Sequence, residues 1–394
     1  MRVVFVNLHC NAFLLRPLRY FLTGRPSTYK HRFFLRYLIE NEKEWAVYIN
    51  RKGSVFGRLH GSRFFPLLFR LECMLCLALN GINPFRVRMF SDPEKSKDSD
   101  LVFVYIHYVD ELEGLDSLKG KKVVHMNHFC AGEGIERNAA ILSKVRFDAF
   151  ASESDLSERS AFFREHFGFL RKPTLLLPYT YQDRFRNRTP FEERTNRAVA
   201  TGSLLKEEKE IFAIERFFHT KCLHPMRLAI FENGESLSGL LDSLISDYLE
   251  DVPRCGAKGG WFGRLRGWYT MNFVVGRQKR YRSFDIVAKY NEYRMSVVPE
   301  EVIGLPAIGF VESMACGCAY IGLDHSMYRD IGLVPGRHYI AYDGTLPGLA
   351  EAIRLYRNRP EALRRIAEEG CRFVREHFDP KTVAARFYSG LTEL

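Results

Sequence analysis

The stretch VVPEEVIGLPAIGFVESMACGCAYIG, residues 297–322, decides the fold. A β-branched run over Met295–Val298 stops at Pro299, and an acidic, glycine-containing loop follows. Apolar residues then recur at helical spacing over Ile308–Ala315, and a second short apolar run begins at Ala319 and reaches Leu323. Strand, loop, helix and strand in so few residues make a βαβ unit, whose two strands must run parallel.

The same alternation continues on both sides. Downstream, Leu346–Asn358 reads as a helix; upstream, Ala198–Gly202 and Arg227–Phe231 read as strands. An earlier series places strands at Val3–Asn7, Leu101–Ile106, Lys122–Met126 and Phe147–Ala151, with helices at Phe33–Glu42 and Leu156–Phe167. Repeated βα units imply an α/β protein whose parallel sheets carry helices on both faces. Between the series lies DRFRNRTPFEERTN, Asp183–Asn196, polar and without apolar periodicity. It divides the chain into domains of residues 1–190 and 191–375, each Rossmann-like, followed by a helical run over 376–394. Such sheets bind ligands at the carboxyl ends of their strands.

Composition agrees with a folded, two-domain protein. The 394 residues are 46% apolar with only 16 prolines, too ordered a composition for a disordered chain and too long for one ordinary core. The net charge of +11 calls for an anionic partner: phosphorylated small molecule, acidic membrane face or nucleic acid. The start, MRVVFVNLHCNAF, reads as a strand and not as a secretion signal. The most apolar stretch, Phe64–Ile82, is interrupted by Pro66, Arg70 and Glu72 and falls short of a spanning helix. Nine scattered cysteines fit a reducing cytoplasm. Cys73 and Cys76 have zinc-like spacing but sit in an apolar helical pattern, so they read as core residues.

The order of these segments resembles the large family of retaining GT-B glycosyltransferases, which includes bacterial mannosyl-, glucosyl- and N-acetylglucosaminyltransferases. KKVVHMNHF, residues 121–129, resembles the strand that ends in a histidine facing the donor sugar, which points to His128. FDAFASESDLSERSAFFREHFG (147–168) and LLLPYTYQDRF (175–185) are similar to the family's next strand, helix and loop. Tyr179 and Thr180 stand where that loop carries asparagine and glycine. AVATGSLLKEEK (198–209) is similar to the strand and loop that present a lysine to the donor diphosphate. Residues 297–322 look like the family's signature near the nucleotide, and the terminal helical run resembles the helix that crosses back onto the first domain. The signature has two glutamates eight positions apart; here Gly304 precedes Glu312 by that interval, and Glu300 and Glu301 are the nearest acids.

The resemblance implies a nucleotide-sugar donor, a glycan or lipid-linked acceptor, retention of configuration, and no metal or other cofactor. Preorganised cations and backbone dipoles stabilise a departing diphosphate. Lys206 or Lys209, with Ser203 in the same loop, are the candidates, and the bland reading of either lysine is a solvated surface charge. Gly304 and Gly309 would let backbone approach a phosphate. Glu312, one turn into an apolar helix beside Ser313, suits the two ribose hydroxyls or a salt bridge. Glu300 and Glu301 compete for the missing first glutamate's role at the sugar; by the resemblance His128 would touch the donor sugar, and His107 is a weaker candidate for the same cleft.

His224-Pro225 is similar to the His-Pro pair of transferases that use CMP-linked acidic sugars, which keeps open an inverting reaction with a general base. An inactive, binding-only relative is the remaining alternative. Residues 252–284 carry Arg254, Lys258, Arg264, Arg266, Arg277, Lys279, Arg280 and Arg282, interleaved with Trp261, Phe262, Trp268 and Tyr269 and with no acid. That pattern suits an anionic membrane face, hence a peripheral position at the inner side of the cytoplasmic membrane. A merely basic loop is the bland reading. No recognition-helix, zinc-finger or RNA-sheet signature supports nucleic acid.

Overall fold

The computed structural model describes residues 1–6, 30–50, 65–105, 112, 114–126, 135–204, 212–220, 222–247, 263 and 284–394. They form two compact units. The first comprises Met1–Ser152, Phe163–Leu177 and Ala384–Leu394; the second comprises Glu153–Phe162 and Pro178–Val383. The chain passes between units at positions 152/153, 162/163, 177/178 and 383/384, whereas the sequence reading has breaks at 190/191 and 375/376.

The first unit is built on seven parallel strands. In chain order these are β1 (Arg2–Val6), β2 (Trp45–Tyr48), β3 (Arg88–Phe90), β4 (Asp100–Tyr105), β5 (Lys121–His125), β6 (Ala149–Ser152) and β7 (Thr174–Leu176). Their order in the sheet is β3-β2-β1-β4-β5-β6-β7. Every residue of β1, β4 and β6 is buried, as expected for strands covered on both faces. The sequence reading missed β2, β3 and β7, four, three and three residues long and too short to show a period. A buried ion pair, Arg2 to Asp100, joins β1 to β4, with Nε donating to Oδ1 at 3.0 Å. Phe387 packs edge-on against Phe34 at 5.0 Å and against Phe103 at 5.7 Å, which fixes the end of the chain in this unit. The helix expected over Leu156–Phe167 is two pieces, Leu156–Arg159 and Ala161–Phe167, with extended backbone at Ser160.

The second unit holds five parallel strands: β8 (Thr195–Ala200), β10 (Leu241–Ser243), β12 (Tyr293–Val297), β13 (Ala319–Leu323) and β14 (Ile340–Tyr342), in the order β10-β8-β12-β13-β14. A small pair, β9 (Ser203–Leu204) and β11 (Ser246–Asp247), lies apart from that sheet. Val199 and Tyr320 face one core cluster, while Ala198, Ala200, Ala319 and Ile321 face the other. The expected strand at Arg227–Phe231 is a helix, Pro225–Glu232. Pro225 at its first turn presets a helical φ, and Met226 and Ile230, four apart, bury one face. The strand position falls instead to Leu241–Ser243.

Candidate functional site

The five-stranded order has a reversal. From β8 the chain moves out to the edge at β10, then returns to the opposite side of β8 as β12 and continues outward to β13. The segments leaving β8 and β12 therefore diverge, and a crevice opens at the carboxyl ends of these neighbours. Thr201, Gly202 and Ser203 lie on one side and residues 298–308 on the other.

A cation missed by the sequence reading sits between them. Arg227 is 8% exposed; its Nε donates to the Pro299 carbonyl at 3.0 Å and its Nη1 to the Ser203 carbonyl at 3.1 Å. Burial pulls its pKa down, while the carboxylates of Glu301 and Glu300 oppose the shift. The guanidinium stays charged, so those carboxylates are what make its burial tolerable. Gly202, at φ +147°, has no Cβ; one placed there would lie 2.8 Å from Arg227 Nε. The misreading of Arg227–Phe231 as a strand concealed this residue, since only the helix turns it into the crevice.

Glu300 and Glu301 face different surroundings. Glu300 is buried; its Oε1 accepts from the Tyr328 hydroxyl at 2.5 Å and from the Tyr320 hydroxyl and Leu323 N–H, each at 3.1 Å. Burial raises its pKa against the pull of these hydrogen bonds, and raises both tyrosines well above their ordinary value. Glu300 is thus an internal strut rather than the sugar ligand of the sequence reading, because three donors already hold that oxygen inward. No local spacing announces a partner 28 residues along the chain. Glu301 Oε1 lies 3.8 Å from His224 Nε2, and its N–H donates to the Leu305 carbonyl at 3.1 Å. Gly304 closes this small loop at φ +93°; its N–H donates to the Glu301 carbonyl and its own carbonyl accepts from Ser154 Oγ at 2.8 Å. Only glycine takes that backbone conformation without strain.

The helix Gly309–Ala315 follows. At its carboxyl end Arg375 donates to the Ala315 carbonyl at 2.8 Å and Arg194 to the Cys316 carbonyl at 2.8 Å, satisfying groups that the helix leaves over. A Cβ on Gly309 would lie 2.8 Å from Val298 Cγ1 and 2.9 Å from the Tyr290 hydroxyl. Gly309 therefore permits close packing on the sheet, not approach to a ligand. Ser313 is fully buried and accepts from Ser296 Oγ at 2.9 Å while donating to the Phe310 carbonyl. Its hydroxyl joins helix to strand and does not reach the crevice, a correction to its assignment as a donor contact. Glu312, between buried Val311 and Ser313, is half-buried.

Of the remaining candidates, Ser203 lends its carbonyl to Arg227. Lys206, Lys209, His107, His128 and the basic run within 252–284, apart from Gly263 and Phe284, lie outside the described residues. His125, the last residue of β5, is buried, with Tyr105 stacked on it at 4.4 Å.

Residues 246–389 match the model of the glycosyl transferase-like family. The whole chain has the α/β fold of the GT-B glycosyltransferases. Its fold is similar to that of sucrose-phosphate synthase from Thermosynechococcus elongatus, at 10% identity and TM-score 0.55, covering 100% of this chain and 98% of that one. A glycosyltransferase from Rickettsia africae superposes at TM-score 0.51 and 11% identity, over 100% and 98% of the two chains. HepE of Anabaena, solved in complex with UDP, gives 0.51 and 11% over the whole of both chains. No curated protein sequence matches this chain.

Proposed function

We propose that this chain is a glycosyltransferase that binds a nucleotide-sugar donor at the β8–β12 crevice and passes the sugar to a glycan or lipid-linked acceptor, with retention and without a metal. The observation that carries the reading is the convergence of Gly202, Ser203 and the Gly304 loop around the buried Arg227 cation at the sheet's switch point. HepE has been solved with UDP and with UDP-glucose, which favours a uridine nucleotide as the first donor to try. Lys206 or Lys209 supplies the cation for the diphosphate, and Arg227 holds the two loops that frame it. Glu312 takes the ribose hydroxyls, and His128 faces the sugar. The basic run in 252–284 meets an anionic membrane surface at the cytoplasmic side.

Calorimetry with UDP, GDP and CMP tests the donor site. One nucleotide binds, and Glu312→Ala weakens it by about 2 kcal/mol through lost charged hydrogen bonds. Affinity unchanged in the variant removes the ribose assignment; no binding of any nucleotide removes the site. Turnover persists in EDTA under this reading. The His224–Glu301 pair favours one second reading, inverting transfer with a general base. The anomeric configuration of the product, followed by NMR, separates the two.

A further inference from the structure

The helix Phe65–Leu79 of the first unit carries a ladder of exposed leucines. Leu67 is 58%, Leu71 52%, Leu75 44% and Leu79 55% exposed, while Cys73, Cys76 and Leu77 are buried on the other side. Gly81, at φ +76°, ends the helix, with its N–H on the Ala78 carbonyl and that of Ile82 on the Leu77 carbonyl. Just beyond it Phe85 is 85% exposed. Leaving this much apolar surface in water is unfavourable, and a contiguous patch of this kind marks a binding surface.

We propose that this face is an in-plane docking surface for an anionic lipid bilayer. Charge selects the occupant. Among the described residues from 65 to 90 the cations are Arg70, Arg86 and Arg88, against one acid, Glu72. Arg70, Arg86 and Arg88 are exposed, whereas Glu72 is 4% exposed and turned inward. Cations beside exposed leucines fit acidic headgroups over acyl chains, and the same cations would repel a second copy of this chain. The spacing argues the same way. Successive steps of four residues advance the ladder about 40° each, so it spreads across an arc of roughly 120°. A helix-dimer seam alternates steps of three and four to stay narrow; a fluid apolar medium makes no such demand. Among the described residues no helix is long and apolar enough to cross a membrane, so the helix lies along the surface.

Cosedimentation with vesicles of phosphatidylcholine containing about one third phosphatidylglycerol tests the proposal. The whole chain binds, and Leu71→Gln with Leu75→Gln lowers the partition coefficient about tenfold, since both side chains leave the acyl region. Arg86→Gln with Arg88→Gln weakens binding chiefly at low salt. Circular dichroism shows that the leucine variant remains folded. Should it not, Leu71→Trp provides the second reading: its emission is quenched by brominated lipid beyond the quenching of the wild-type tryptophans. Vesicle binding unchanged by the leucine substitutions overturns the proposal. So does a dimer in vesicle-free solution that the leucine variant converts to monomer, which would assign the face to a second copy. Binding abolished by Arg277→Gln, Lys279→Gln, Arg280→Gln and Arg282→Gln together, with the Leu71→Trp signal also absent, overturns it as well.

Discussion

Two helices of this chain read alike as apolar segments and serve opposite ends. Gly309–Ala315 is buried almost all round, with Phe310 packed against Tyr320 at 5.8 Å and Tyr328 at 5.5 Å. Its only half-exposed side chain is Glu312. Phe65–Leu79 buries one side and turns leucines outward at every fourth position. The first helix is fixed by close approach, by arginines on its terminal carbonyls and by a ring of tyrosines around Glu300. The second is held along one side, and its outer face is available for binding. An apolar run therefore reports that surface must be covered, not what covers it.

The sharpest way to break this contrast is to enlarge Gly309. Gly309→Val drives a branched side chain into Val298 and Tyr290 and should cost about 3 kcal/mol in urea unfolding, the upper range for overpacking. A cost near zero would mean the helix is not seated as tightly as its contacts imply.

Gly202→Ala comes next. The added methyl meets the Arg227 guanidinium, and φ +147° is unfavourable for alanine, so stability should fall by about 2 kcal/mol. Nucleotide affinity should fall with it if Arg227 frames the donor loops.

Glu300→Gln sharpens the contrast through pH. Burial raises the folded-state pKa of Glu300. The unfolded chain then ionises first, so this group's stabilisation is complete below the unfolded value of about 4.3 and is lost as pH rises through the folded one. Glutamine retains an acceptor for Tyr328 and does not titrate. The stability of the variant relative to wild type should thus increase as pH rises through that window, measured by urea unfolding at a series of pH values. A difference that stays flat with pH would place Glu300 outside the titrating core.

The smallest effect belongs to the outer face. Leu71→Gln alone should change unfolding free energy by less than about 1 kcal/mol, because that side chain stays half exposed in the folded protein. A loss above 2 kcal/mol would show that another part of the chain covers it.

The sequence by itself determined the βαβ character of residues 297–322, the two series of parallel strands, and the fold type that follows from their order. Period and turn chemistry are local properties, legible over a few residues. It also located the crevice loops, because glycine and paired acids after a buried strand are visible in one dimension. Tertiary structure alone decided what those residues touch. Pairing with Leu241–Ser243 left Pro225–Glu232 free to be a helix, which brought Arg227 under Gly202. Tyr328 reached Glu300 across 28 positions and took it out of the sugar-facing set. Ser313 and Gly309 proved to be packing residues because their neighbours come from another strand or helix. The outward turn of the leucine ladder was likewise unreadable, since a helix has an inside only once something packs against it. Burial and partnership are relations between distant segments, and a linear pattern contains only one side of each.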